Sequence, residues 1–253
     1  MRTCGLVSVS FRALSHREVI DLAAAARLSC IEWGSDVHAP CHDTARLEDI
    51  MAYSRERGIT CCSYGTYFRL GVHPLDELGA YMSAARVLGT NVLRIWAGNK
   101  NDTDMTEAER AFLIEEGRRA AALAAREGMM LCLEWHTQTM TSTLEGALAL
   151  IEQVASPALR LYWHPSQYRP FEQNLAEAAR VAPYVCKLHV FQWELRPGEL
   201  IRHPLSDGQA QWSQYFNCFD PSVPALLEFV PDDDPALLGR EADTLRAILK
   251  GGA

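Results

Sequence analysis

The chain lacks the sequence features that mark several common classes of protein. No apolar run reaches the roughly 20 residues that a membrane span needs, and the first residues lack the long apolar stretch of a signal peptide. Basic residues are too few to balance the acidic ones, and the formal net charge of −8 argues against a nucleic-acid-binding surface. The eight cysteines form no CxxC pair. We therefore expect reduced cysteines and a cytoplasmic protein without nucleic-acid or membrane partners.

Strand-like and helix-like segments alternate along the whole chain, and no Pro/Gly/Ser linker or low-complexity tract divides it. Eight short apolar runs are predicted as buried parallel strands: 4–11, 28–33, 59–67, 91–97, 129–135, 159–164, 184–191 and 225–230. Helices are predicted near 15–27, 43–57, 75–88, 106–127, 142–154, 171–182, 208–219 and 235–249. The alternation and the length of 253 residues predict a single (β/α)8 TIM barrel over residues 1–253.

Boundary signals agree with these helices. Capping boxes predict three helix starts, at Ser15 with Glu18, Thr106 with Glu109 and Ser142 with Glu145. Glycines that can adopt a left-handed conformation predict helix ends at Gly58, Gly89 and Gly128. The segment 192–208 is predicted as a long loop at the carboxyl face, where loops shape sites. An open doubly wound sheet is the alternative, but no GxGxxG motif follows the first strand.

Four of the later strand-like runs end in, or carry, a residue able to bind a metal. They are Glu134 in LCLEWH, His164 in LRLYWH, His189 in CKLHVF and Glu228 in LLEFV. Successive members are separated by about one strand-helix-strand unit. Because the carboxyl ends of all strands meet at one face of a parallel barrel, these residues are expected to converge there. Two carboxylates and two imidazoles suit a divalent metal.

Further motifs accompany these residues at the strand ends: IEWGSDVHAP, YGTYFRLG, LRIWAG and HPLSDG. Together they make the chain resemble the xylose isomerase-like TIM barrel superfamily, and more closely its sugar phosphate isomerase/epimerase branch. The resemblance covers essentially the whole chain and implies one divalent metal, commonly manganese, magnesium, cobalt or zinc. It also implies a small sugar-like substrate and a homodimer or homotetramer. The absence of a Gly-rich phosphate cradle slightly favours an unphosphorylated substrate.

The resemblance implies roles for the four residues. Glu134, His189 and Glu228 match the family's metal ligands directly, whereas His164 stands where the family usually has an aspartate. That replacement could shift metal preference toward zinc, cobalt or iron, and the alternative is that His164 is only a polar strand end without a metal. Glu134 and Glu228 match the glutamates that act as the acid/base pair, removing and returning a proton next to a carbonyl that the metal chelates.

Four more residues are predicted to contact the substrate. Gln167 stands where the family has a histidine, and its amide could bind a hydroxyl but not transfer a proton at neutral pH. Arg196 and Arg202 lie in the loop after the seventh strand, and His136 follows Glu134 by two residues. The alternative for both arginines is exposure to solvent, and for His136 a structural hydrogen bond.

The chemistry leaves other functions open. A dehydratase of an inosose or a dehydroshikimate-like acid would use the same metal and a similar proton abstraction, and would then expel a hydroxyl. A sugar-binding barrel without catalysis would fit a decayed site at His164 and Gln167. The superfamily also includes an apurinic endonuclease with three zinc ions, which the acidic charge and Gln167 disfavour.

Overall fold

Within the part of the chain that the structure describes, eight parallel strands close into a barrel, as predicted, and eight α-helices surround it. The computed structural model describes residues 2–251. The barrel strands are β1 (Cys4–Val7), β2 (Cys30–Gly34), β3 (Thr60–Leu70), β4 (Val92–Ala97), β5 (Met130–Glu134), β6 (Leu159–Trp163), β7 (Val185–Val190) and β10 (Ala225–Leu227). Each pairs in parallel with its neighbours, and β10 closes the barrel against β1 with Cys4 opposite Ala225.

The α-helices follow the predicted order closely. They are α1 (His16–Ala25), α2 (Thr44–Glu56), α3 (Leu78–Leu88), α4 (Glu107–Arg126), α5 (Leu144–Val154), α6 (Phe171–Val181), α7 (Gln209–Cys218) and α8 (Leu238–Gly251). Gly58, Gly89 and Gly128 all have positive φ at the predicted helix ends. None of the helices within residues 2–251 combines the length and hydrophobicity that crossing a lipid bilayer requires.

Two of the three predicted capping boxes are confirmed, at Ser15 and at Thr106. The third prediction is wrong by one residue. Thr143 has extended backbone angles and its Oγ1 accepts a hydrogen bond from the Gly146 N–H at 3.0 Å, so the cap lies there. The Ser142 hydroxyl instead accepts from the Asp102 N–H at 3.0 Å and ties the α5 start to the loop after β4.

The segment predicted as one long loop is largely an antiparallel hairpin. Strands β8 (Gln192–Arg196) and β9 (Glu199–His203) pair directly after β7, with Gly198 in the turn at φ +79°. The turn sequence Pro197-Gly198 breaks the strand pattern and allows the chain to reverse. A short 3-10 helix, Leu205–Gly208, then leads into α7.

The first and last barrel strands are shorter than predicted because the chain bends at the carboxyl face. After β1 it turns into a 3-10 helix, Ser8–Phe11, whose Ser8 hydroxyl accepts from the Gly34 N–H at 2.9 Å. After β10, Phe229 has φ +55° and its N–H donates to the Ser10 hydroxyl at 2.9 Å. These bends bring Glu228 and the ends of β1 and β2 to the same mouth of the barrel.

The core between the barrel and the helices contains large aromatic side chains. Trp163 at the end of β6 is fully buried against Trp212, Tyr215 and Phe219 from α7 and the turn after it, with ring centroids 5.1 to 6.4 Å apart. Such contacts add specific edge-to-face packing to the area that each ring buries. They fix α7 against the sixth strand, and so help to hold the mouth of the barrel in place.

Candidate metal and catalytic site

Three of the four predicted ligands meet at the carboxyl end of the barrel. Glu134 ends β5, His189 lies on β7 and Glu228 follows β10. Each offers a donor atom, and these atoms all lie within 4.8 Å of one another. The His189 Nδ1 atom is 3.4 Å from Glu134 Oε1 and 3.2 Å from Glu228 Oε2. All three residues are buried, so water does not balance their charges.

Two further charged residues complete this group inside the barrel. Glu32 on β2 and Arg94 on β4 are both buried, and the Arg94 Nε donates to Glu32 Oε1 at 2.9 Å. The other arm of Arg94 donates to Glu134, so one guanidinium joins two carboxylates. Ser63 donates to the second oxygen of Glu32 at 2.8 Å. Gly65 makes the approach possible, because a Cβ there would lie 2.8 Å from Arg94 Nη2.

The two predicted catalytic glutamates lie in unequal surroundings. Glu134 Oε2 accepts hydrogen bonds from Arg94 and from the Trp96 indole N–H, the latter at 2.5 Å. Burial opposes ionisation, but Arg94 and His189 together hold the pKa of the Glu134 carboxyl well below its usual range. No N–H or O–H donor within residues 2–251 forms a hydrogen bond with the Glu228 carboxylate. Glu228 is therefore the less constrained of the two.

The group carries more negative than positive charge. Burial raises the pKa of Glu32, but His189 and Arg94 outweigh that effect and lower it to about 2. Burial opposes protonation of His189, yet Glu228 and Glu32 raise the pKa of its imidazole well above 6.5. With His189 protonated, the three carboxylates exceed the two cations by one negative charge; with His189 neutral the excess is two, and burying uncompensated charge is costly.

The donor set fits a divalent metal. Both ring nitrogens of His189 are buried without a hydrogen-bond partner among residues 2–251, although an imidazole normally uses at least one. Glu134 Oε1, Glu228 and neutral His189 would supply two oxygen donors and one nitrogen donor. Two excess negative charges would balance a divalent ion. Manganese, magnesium, cobalt and zinc can all bind mixed oxygen and nitrogen donors, so these three ligands do not select one of them.

A cavity of about 270 Å³ opens above this group. Aromatic rings form much of its wall: Tyr67, Trp96, Trp135, Phe191, Trp193 and Phe229. Polar lining residues include His136, His164 and Gln167, together with the arginines Arg12 and Arg69. Aromatic faces with a few converging polar groups are typical of a small-molecule site.

The structure places three predicted residues on this cavity wall. The His164 ring stacks parallel to His189 with centroids 6.5 Å apart, but His164 is not in the group of three close donors. Burial lowers its pKa, which favours the neutral imidazole. His136 packs against Trp96 with centroids 5.6 Å apart, and its Nδ1 contacts the Thr137 carbonyl at 2.6 Å. The Gln167 side chain forms no hydrogen bond within residues 2–251 and lines the cavity.

Arg196 and Arg202 do not line the cavity, in contrast to their predicted role. Arg196 is exposed near the turn of the hairpin and pairs with Glu194 at 3.0 Å. Arg202 pairs with Asp233 and lies over the Phe229 ring, 4.6 Å from its centroid. The reason is the hairpin itself, which directs these side chains to partners of their own instead of leaving them on a loop over the mouth.

The prediction from sequence missed Glu32 and Arg94, and it did not foresee the hydrogen bond from Trp96 to Glu134. A signal for the first two was present, because each is a charged residue within an apolar strand, CIEWG and VLRIWA. A charge in a buried strand requires an opposite charge nearby. Which charge pairs with which, however, depends on neighbouring strands and their register, and these are not adjacent in the sequence.

Comparisons with known proteins identify the family of the chain. A family model described as "Xylose isomerase-like TIM barrel" matches residues 20–247. A 3-dehydroshikimate dehydratase of Bacillus anthracis is 35% identical over 72 residues, which is 28% of this chain and 26% of that enzyme. The chain thus aligns with about a quarter of the length of this curated relative.

Solved structures show the same fold over nearly the whole chain. The probable 3-DHS dehydratase from Bacillus anthracis has a TM-score of 0.79 at 19% identity, covering 97% of this chain and 99% of that one. A xylose isomerase-like TIM barrel protein from Mycobacterium smegmatis in complex with magnesium has a TM-score of 0.73 at 14% identity, covering 100% and 98%. D-psicose 3-epimerase from Clostridium cellulolyticum H10 has a TM-score of 0.70 at 14% identity, covering 98% of this chain and 99% of that one.

The first prediction concerns the stability of the buried group. Arg94→Met should lower the free energy of unfolding by about 3–5 kcal/mol, because it leaves Glu32 and Glu134 buried without their cation. Urea unfolding in the presence of a chelator measures this. Arg118→Met, which breaks an exposed pair with Glu115, is the matched control and should cost about 0–1 kcal/mol. Equal losses in the two variants would contradict the role given to Arg94.

The second prediction concerns metal binding. The purified protein should bind about one divalent ion per chain by titration calorimetry, and its melting temperature should rise on metal addition. His189→Gln should weaken binding at least about tenfold more than His164→Gln, because only His189 belongs to the group of close donors. If His164→Gln is the more damaging change, the ligand set differs from the one described.

The third prediction concerns pH. Without metal, the raised pKa of His189 keeps its imidazole protonated above pH 6.5, and a metal must displace that proton. Affinity should therefore rise with pH, by about tenfold per unit while His189 remains protonated, and level off above its raised pKa. Calorimetry in buffers of different ionisation enthalpy should detect about one proton released per ion. Binding independent of pH between 6 and 8 would contradict this.

Proposed function

Because the chain belongs to the xylose isomerase-like TIM barrel family, we propose that it is a metal-dependent isomerase or epimerase of a small sugar or polyol-like substrate. The observation that carries the proposal is the convergence of buried Glu134, His189 and Glu228 beneath the aromatic cavity. At about 270 Å³ the cavity lies just below the usual range of roughly 300–1,000 Å³, which favours a small substrate.

In the proposed mechanism, a divalent metal and the protein side chains have different roles. A divalent cation held by Glu134, His189 and Glu228 would supply Lewis-acid stabilisation of the charge that develops when a carbon next to a carbonyl loses its proton. We assign Glu228 as the base because its carboxylate, unlike that of Glu134, accepts no hydrogen bond from an arginine or tryptophan within residues 2–251. Where a bound substrate displaces water from between these aromatic rings, its electrostatic interactions with the charged group would be strengthened.

Glu134 is suited to bind a ligand in a fixed position as well as to exchange a proton. Arg94 and Trp96 occupy its Oε2, which leaves Oε1 for a ligand or a substrate hydroxyl. In the proposed pair, Glu228 removes the carbon-bound proton and Glu134 serves the second proton transfer. Gln167 and His136 line the cavity, where they would bind substrate hydroxyls and fix the orientation of the reacting carbon.

The second candidate is a dehydratase of a dehydroshikimate-like acid. It is favoured by the similarity of a 72-residue segment to a 3-dehydroshikimate dehydratase. In that reaction a base would remove the proton next to the carbonyl, a carbon–carbon double bond would form and a hydroxyl would leave as water with a proton from an acid. The same residues could serve both reactions, with His136 on the cavity wall as a candidate proton donor.

The experiment is proton NMR in D2O on a panel of ketoses, inososes and 3-dehydroshikimate. Each compound is incubated with magnesium-loaded protein and with chelator-treated protein. Deuterium entry next to a carbonyl, dependent on the metal, would support the proposal, and the product would separate isomerase, epimerase and dehydratase. No exchange by protein shown to hold metal would reject catalysis on this panel and favour a sugar-binding barrel.

The fourth prediction tests the roles of the two glutamates. Glu228→Gln should reduce the exchange rate about 10²–10⁴-fold while retaining much of the metal, because an amide oxygen can still act as a ligand. Glu134→Gln should lose metal affinity as well as exchange, because the amide breaks the ionic contact with Arg94. Glu115→Gln on the exposed face of α4 is the control. Undiminished exchange in Glu228→Gln would remove it from the mechanism.

A further inference from the structure

Arg69 is a guanidinium built into the cavity wall at the end of β3. It lies over the Trp96 ring, 4.7 Å from the centroid. Its Nη1 donates to the Gly98 carbonyl at 2.8 Å and to the Gln138 carbonyl at 3.3 Å. One ring face and two backbone carbonyls therefore fix the plane of the guanidinium, and its position does not depend on a ligand.

Among residues 2–251, no acidic side chain lies within ion-pair distance of Arg69. Arg12, also on the wall, pairs with Asp36 at 2.8 Å, and Arg94 pairs with Glu32 and Glu134. Arg69 forms no ion pair within residues 2–251, and its Nε and Nη2 donate to no protein acceptor there. Burial lowers the pKa of this guanidinium, whereas Glu134 raises it. A partly buried arginine with free donors facing a cavity is a ready partner for an anion.

We propose that the substrate carries a carboxylate that Arg69 binds, while its reacting carbonyl faces Glu228 and His189; the proposal rests on the function proposed above. The remaining Nε and Nη2 donors form one edge of the guanidinium, which matches a carboxylate in a paired arrangement. A sugar acid, or a hydroxylated ring acid, satisfies this requirement. A neutral sugar would leave the charge of Arg69 without a partner.

The same charges favour a carboxylate over a phosphate. Arg69 is the single unpaired cation among the described lining residues, so it can neutralise one negative charge. A phosphate monoester carries close to two at neutral pH and would meet the nearby acidic group of Glu32, Glu134 and Glu228. One negative charge at Arg69 balances the wall, whereas two would add repulsion in a partly dehydrated cavity.

Trp96 sets the spacing between the two ends of the proposed substrate. Its indole N–H donates to Glu134, and its ring face carries Arg69. One rigid side chain therefore separates the anion-binding guanidinium from the carboxylates that would act on the carbonyl. This arrangement selects acids whose carboxylate and carbonyl stand at opposite ends of a short or cyclic carbon frame, with the aromatic wall against its C–H faces.

The test is calorimetric binding of shikimate and methyl shikimate to the full-length, magnesium-loaded protein. Shikimate has a carboxylate and ring hydroxyls but no ketone, and its methyl ester differs by the loss of the charge. Wild type should bind shikimate at least about tenfold more tightly than the ester. Arg69→Met should abolish this preference and Arg69→Lys should keep part of it. Arg118→Met, an exposed arginine on α4, should retain the full preference.

Equal affinities of wild type for the acid and the ester, failure to bind either, or an unchanged preference in Arg69→Met would each overturn the proposal. If ribulose 5-phosphate binds more tightly than shikimate, and this binding depends on Arg69, the choice of a carboxylate over a phosphate is overturned. Arg69→Met is checked for one bound metal per chain, and Arg69→Lys supplies a second variant. Shikimate binding needs no proton transfer, so it tests the acid-binding site separately from catalysis. If the protein prefers shikimate to its ester through Arg69 but shows no deuterium exchange, the proposed catalysis is rejected and the acid-binding site is retained.

Discussion

The arrangement of the barrel mouth depends on compensation of buried charge. Glu32, Arg94, Glu134, His189 and Glu228 come from five strands or their ends, and each would be costly to bury alone. Arg94 joins two of the carboxylates, and the His189 ring lies within 3.5 Å of an oxygen of all three. A slip of any of these strands would separate the charges, so the same interactions that form the site also help to specify the register of the barrel.

This compensation also makes the two predicted catalytic glutamates unequal. Glu134 is held by a guanidinium and an indole, whereas Glu228 contacts only the His189 imidazole among charged side chains of the described residues. A carboxylate that accepts strong hydrogen bonds is a stable ligand but a weaker base, and one without them is freer to take a proton. Family resemblance assigns the pair symmetrical roles, and the contacts around each residue distinguish them.

The cavity wall above the charged group consists of aromatic rings and of cationic side chains. Aromatic rings from several loops and strand ends line much of it, and Trp96 connects the acidic group to the cation of Arg69. The hairpin β8–β9 brings Trp193 to the cavity but turns Arg196 and Arg202 to acidic partners elsewhere. Two arginines predicted to contact the substrate thus lie outside the cavity, and three that were not predicted, Arg12, Arg69 and Arg94, line it.

The sequence by itself determined the barrel, the order of its elements and the strand ends that bear Glu134, His189 and Glu228, because local periodicity and apolar runs encode strands and helices directly. The tertiary structure decided the rest. The bridging of Glu32 and Glu134 by Arg94, the separation of His164 from the three close donors and the free edge of Arg69 all depend on register and loop conformation. These are set by contacts between residues far apart in sequence, which no local pattern records.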